Sequence, residues 1–112
     1  MAHIGTFEHT SDGYFGRLRT LTLDIDLAIV AAAPSDTKNA PDFRVHIGTN
    51  AEGPAIGAGW RRKSERVGEY LTLLVDDPTF PRPIRARLVK HDDRGSVYQL
   101  RWNRSSQSEE RT

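Results

Sequence analysis

Residues 55–83 read AIGAGWRRKSERVGEYLTLLVDDPTFPRP, and the fold is decided by how this stretch is read. Successive side chains of a strand point to opposite faces, so alternation of large and small residues predicts a strand from Ala55 to about Lys63. Ile56, Ala58 and Trp60 share one face of it and are expected to face the core. Gly57 and Gly59 leave the other face bare, which lets a backbone, a ring or a ligand lie close. Residues 64–69 (SERVGE) are polar and contain a glycine, as a hairpin tip requires. Residues 70–75 (YLTLLV) form the most apolar run and predict a central strand. Three prolines follow within residues 78–83 and stiffen the next loop by fixing φ. Phe80, between two of them, is expected to tuck under as a plug at one end of a barrel. A preorganised surface knob for a protein partner is the competing reading.

Strand signals continue in both directions. Ile4 to His9 alternates loosely and meets the turn cluster Thr10-Ser11-Asp12-Gly13; Asp-Gly supplies the positive φ of a hairpin turn. The return strand runs from Tyr14 through Thr20, with Gly16 predicting a bulge or a close backbone approach. Leu21, Leu23, Ile25 and Leu27 alternate with Thr22, Asp24 and Asp26, so a half-buried strand is expected from Leu21 to about Val30. LAIVAAA at 27–33 is also compatible with a short helix by alanine propensity. Phe43, Val45 and Ile47 face inward on another strand. Ile84, Ala86 and Leu88 do so on the next, with Arg85 and Arg87 outward. Tyr98, Leu100 and Trp102 share a face on the last. No long segment has a helical period. The expected fold is therefore all-β: one small antiparallel barrel or sandwich of seven to eight strands built from consecutive hairpins. Residues 1–104 form this single domain. Residues 105–112 lack apolar content and read as a disordered tail.

The chain has 112 residues, 37% hydrophobic and 28% charged, which suits one globular domain. It has no cysteine, so disulfides and thiolate metal sites are excluded. The N-terminus shows no signal-peptide pattern, and the longest apolar stretch is too short for a membrane helix. A cytoplasmic protein without membrane contact is the expectation. The formal net charge of +1 hides an asymmetry. Residues 1–57 hold four Lys/Arg and seven Asp/Glu, whereas residues 58–104 hold eleven and six. A polyanion-contact face is one meaning of such a basic half, and a plain solvated face is the other.

Several segments occur together in order: Ile4-Gly5-Thr6-Phe7, Asp12-Gly13, Gly16 with Arg19 to Leu23, Ala40-Pro41-Asp42-Phe43-Arg44-Val45, Ile56-Gly57-Ala58-Gly59-Trp60, Tyr70-Leu71, Asp76-Asp77-Pro78-Thr79-Phe80-Pro81 and Pro83-Ile84. In this combination the chain resembles the DUF736 family of small uncharacterised bacterial proteins over residues 3 to about 104. The resemblance implies an origin in proteobacteria, often on plasmids and integrated conjugative elements. No reaction is established for the family, so it supplies no catalytic residue. Arg61 to Glu69 departs from the family's usual lysines and Thr-Ser pair but keeps the basic character.

The interleaved aromatics and cations Trp60, Arg61, Arg62, Lys63, Arg66 and Tyr70 are the mixture that binds single-stranded nucleic acid, since cations pair with phosphates and flat rings stack on bases. Arg85 and Arg87 on the next strand, and Arg101 on its return, are expected to join them on one basic sheet surface. Against this, alternation makes Trp60 and Trp102 core residues, and the cations then solvate a sheet face and guard its edges. Asp76-Asp77 and Asp92-Asp93 have no further ligand at fixed spacing and read as turn caps rather than a metal site. His3, His9, His46 and His91 have no motif spacing, and no Gly-rich phosphate loop opens a helix. No cofactor, no metal and no catalytic residue are therefore expected. The sequence favours a non-enzymatic nucleic-acid-binding accessory protein, contacting single- or double-stranded nucleic acid and linked to plasmid or mobile-element maintenance or transfer. The alternative is a protein–protein adaptor, or a module that binds itself, through a sheet edge or the proline loop.

Overall fold

The computed structural model describes residues 2–33, 36–66, 68–80, 82–91 and 95–102. Eight strands follow one another: β1 (Ala2–Thr10), β2 (Gly13–Arg19), β3 (Asp24–Ala31), β4 (Phe43–Ile47), β5 (Ala55–Ser64), β6 (Gly68–Val75), β7 (Ile84–Lys90) and β8 (Val97–Trp102). Each pairs antiparallel with the next, and β8 returns to β1, so the sheet closes into an up-and-down barrel. The all-β expectation holds, and it resolves to a barrel rather than a sandwich. The predicted tail at 105–112 lies outside the described residues.

Residues directly opposite each other in a ladder project to the same side. One inward row can be followed across the strands from Arg61 through Leu71, Leu88, Leu100, Gly5 and Leu18 to Ile25. An eight-stranded barrel has an interior just wide enough for side chains to fill. Here Phe7, Leu18, Leu27, Ile29, Val45, Leu73, Val75, Leu88 and Leu100 fill it, each at most 2% exposed. Glycines make the room. A Cβ on Gly16 would lie 2.2 Å from the Thr6 carbonyl oxygen and 2.7 Å from Cγ of Phe7, which is the close approach expected there.

The ladder registers overturn the reading of β5. Gly57 stands opposite Val45 and Val75, and Gly59 opposite Phe43 and Leu73. The bare face is therefore the inner one, because Phe43 and Leu73 already occupy the space a side chain would need. A Cβ on Gly59 would come within 2.7 Å of Leu73 Cδ2. Ala58 and Trp60 are turned outward. Ile56 still packs against the core, at the point where the β4–β5 register shifts. Trp60 is half-buried against the β3–β4 loop, where its Nε1 donates to the Asn39 carbonyl at 3.0 Å.

The start of β3 also differs from expectation. Leu21 is fully exposed in the β2–β3 turn, and the strand begins only at Asp24. Thr20 explains this: its hydroxyl accepts from the Leu23 N–H at 3.1 Å, and its own N–H donates to the Leu23 carbonyl at 2.8 Å. A threonine turn thus overrides the alternation. Residues 27–31 are strand rather than helix, since Leu27, Ala28 and Ile29 are sealed between β2 and β4.

The two ends of the barrel are unlike. At one, Phe80 packs against the core with Ile4, Leu23, Ile25, Ile56 and Ile84, as the plug reading expects. Asp77 holds that loop by accepting from the Thr79 hydroxyl at 2.5 Å and the Thr79 N–H at 2.9 Å, and these bonds, the hydroxyl's first, keep its carboxyl below the usual range. The other end carries Tyr14, Tyr98, Arg61, Lys63 and Glu69, and it is open.

Candidate functional site

The strand registers divide the expected basic surface in two. Arg61, Arg62 and Lys63 are consecutive on β5, so they cannot share a face. Arg61 stands opposite Leu71, and Lys63 opposite Glu69, on the inner side at the open mouth. Arg62, Arg85, Arg87 and Arg101 lie on the outer side with Trp60 and Tyr70. Arg66 is exposed at the β5–β6 tip, between the two. The single shared surface is thus corrected to an outer face and a mouth.

Two adjacent rows build the outer face. One runs Trp60, Thr72, Arg87, Arg101; the next runs Arg62, Tyr70, Val89, Gln99. Arg85 extends it opposite Leu74. No Asp or Glu occupies these positions. Three of the guanidiniums rest on neutral partners. Arg87 lies over the Tyr70 ring, 5.3 Å from its centroid. Arg101 donates to Gln99 Oε1 at 2.8 Å and 3.2 Å, and Arg62 donates to the Arg61 carbonyl at 3.1 Å. Arg87 and Arg101 are direct cross-strand partners, an arrangement that like charges disfavour. The face of β2–β3 is built differently. Arg17 is paired with Asp24 and Asp26 there, and Arg19 approaches Asp24 at 3.8 Å. The hydrogen bond from Arg17 holds the Asp24 carboxyl below its ordinary value. Charge is thus balanced locally on that side, whereas among the described residues Arg62, Arg87 and Arg101 of β5–β8 rest on neutral groups.

The mouth encloses a cavity of about 270 Å³. Tyr14, Tyr98 and Leu71 line its apolar part, Arg61, Lys63 and Glu69 stand on its rim, and Arg62 and Tyr70 of the outer face border it. The Tyr14 phenol is buried and pushed up to about 12, first by burial and then by the charge and hydrogen bond of Tyr98. It is therefore a neutral hydroxyl at physiological pH. His9 stacks on its ring at 4.3 Å, and Tyr98 meets it edge-on at 5.0 Å. Arg61 is fixed at two points: its N–H donates to Asp42 Oδ2 at 2.8 Å, and its guanidinium lies 4.9 Å from the centre of the Phe43 ring. Tyr14, Tyr98 and Glu69 were not among the residues the sequence singled out. The available signal was Glu69, Leu71 and Leu73 in alternation, which puts Glu69 on the inner side with two core leucines.

A family model described as protein of unknown function (DUF736) matches residues 3–105. The chain belongs to the DUF736 family. No curated protein and no solved structure matches it. The segments that carry the DUF736 resemblance now have structural meanings. Ile56 to Trp60 supplies the bare inner wall at Gly57 and Gly59, and the Asp76 to Phe80 loop closes the far end. Asp12-Gly13 turns β1 into β2, with Gly13 at φ 141°.

Proposed function

We propose that this DUF736 chain is a non-enzymatic accessory protein that binds single-stranded nucleic acid across the outer face of β5–β8. One observation carries the reading: four arginines project from that face, no ladder position beside them among the described residues holds a carboxylate, and two are direct neighbours. Placing Arg87 opposite Arg101 costs stability unless an anion lies between them. A sugar–phosphate backbone supplies a run of such anions. In this reading Arg62, Arg85, Arg87 and Arg101 contact phosphates, and the half-buried rings of Tyr70 and Trp60 stack on bases. Arg87 over Tyr70 already couples a phosphate ligand to a stacking ring. A convex barrel surface with accessible rings suits unpaired bases better than a duplex, whose bases are stacked on each other. A role in plasmid or mobile-element maintenance or transfer follows from the DUF736 resemblance and belongs to the same proposal.

The adaptor alternative has less support. Every strand is paired on both sides, and Phe80 is turned into the core rather than presented as a knob. Fluorescence anisotropy with labelled single- and double-stranded oligonucleotides tests the proposal. Binding that prefers the single strand and weakens with salt is expected. Absence of binding at low salt, or binding indifferent to salt, would overturn it.

A further inference from the structure

The open mouth is a second site, beside the outer face, and Arg62 and Tyr70 lie at the border of the two. We propose that it binds a small organic anion carrying a planar ring. The cavity of about 270 Å³ lies just under the usual size of small-molecule pockets, and barrel mouths are a common place for them. Its chemistry is divided in the way such a ligand needs. Tyr14 and Tyr98 present aromatic surface above the side chain of Leu71, and His9 backs the Tyr14 ring. Arg61 stands directly opposite Leu71, so its cationic fork is held at the boundary between apolar wall and water. There a carboxylate or phosphate can take two parallel hydrogen bonds while its ring enters the aromatic part.

The charges select an anion. Arg61 and Lys63 stand against the one carboxylate of Glu69, with Arg62 of the outer face at the border, so the lining is net positive. Glu69 faces Lys63 across the ladder and offers an acceptor to a ligand hydroxyl or amine. The opposite end is closed by Phe80 and its neighbours, so entry is from this end. The ring requirement distinguishes this site from the outer face, where a phosphate alone is enough.

The test is an amide NMR titration of the full chain with benzoate, phenyl phosphate, inorganic phosphate and benzyl alcohol. Benzoate, phenyl phosphate or both should shift the Arg61, Lys63, Glu69 and Tyr98 amides saturably; which of them binds identifies the anionic group. Arg61→Gln should weaken that binding about tenfold, the loss of one charge-assisted hydrogen bond. Lys63→Gln, at an exposed position, provides an independent variant that leaves the core untouched. No saturable shift, shifts unchanged in both variants, or inorganic phosphate or benzyl alcohol binding as tightly as the ring anions would overturn the proposal. The Arg87→Gln/Arg101→Gln protein should keep the benzoate or phenyl phosphate response while its oligonucleotide binding weakens, which distinguishes this site from the outer face.

Discussion

Replacing Arg87 and Arg101 together by glutamine should halve the salt dependence of oligonucleotide binding. Four guanidiniums share the outer face, at Arg62, Arg85, Arg87 and Arg101. For a single strand, each phosphate neutralised contributes about −0.7 to the slope of log K against log salt, so four give about −2.8 and two about −1.4. Between 50 and 200 mM salt, the wild-type affinity should therefore fall about 50-fold and that of the double variant only about 7-fold. Glutamine keeps a hydrogen-bond donor at both positions, so the change isolates charge. The free protein should be no less stable for the exchange, because it removes two like charges set directly opposite each other. Anisotropy titrations at four or five salt concentrations, with thermal melts alongside, give both quantities. Equal slopes for the two proteins would refute the assignment of these arginines to phosphates, however tightly the protein binds.

Three further predictions concern the barrel. Gly16→Ala should destabilise by about 3 kcal/mol or more, the upper range of overpacking, because the new methyl meets the Thr6 carbonyl oxygen. Gly59→Ala should cost less, since it meets the movable end of Leu73, and equal midpoints in urea would contradict that ordering. Phe80→Ala should lose about 1–3 kcal/mol, less than the cost of truncating a fully buried phenylalanine, because the ring is only half-buried where it closes the barrel. A loss within error would mean the loop does not serve as a plug. Tyr14 should ionise at about 12, against about 10 in the unfolded chain. A raised folded value gives stability that is complete below pH 10 and is lost as pH rises through 12. Phenolate absorbance should contain this late component, and Tyr14→Phe should remove it.

Much of the fold was legible because its strands obey the two rules that sequence displays most openly. β4 and β7 alternate cleanly, and Phe43, Val45, Ala86 and Leu88 are buried as the alternation names; on β8 Leu100 is buried and Tyr98 packs against the core. The Asp12-Gly13 turn and the Gly68 tip follow from the need for positive φ. Outside β5, two features were not legible. Leu21 continues an alternating run yet is exposed, because the Thr20 hydroxyl turns the chain before β3 begins. Closure of the ring depends on the pairing of β1 with β8, residues about ninety positions apart, and local pattern carries no record of that contact.

The inversion of β5 is the more instructive failure, because the functional surfaces depend on it. Hydrophobicity alone assigns Ala58 and Trp60 to the core and the glycines to the outside. Volume decides otherwise: Phe43 and Leu73 flank the strand on either side, and only a bare backbone fits between them. A one-residue change of face moves every side chain on a strand at once. With the glycines inside, Arg61 and Lys63 must project into the mouth, and Arg62 must join Trp60 outside. Had Trp60 faced the core, Arg61 and Lys63 would have pointed outward instead, and the mouth would hold Arg62 in their place. The partition into a phosphate-binding face and an anion-binding mouth thus follows from two glycines. The Gly59→Ala protein, if it folds, should keep both sites in place. A shift of the β5 register in that variant would exchange Arg61 with Arg62, and so exchange the residues whose amides respond to benzoate and to oligonucleotide.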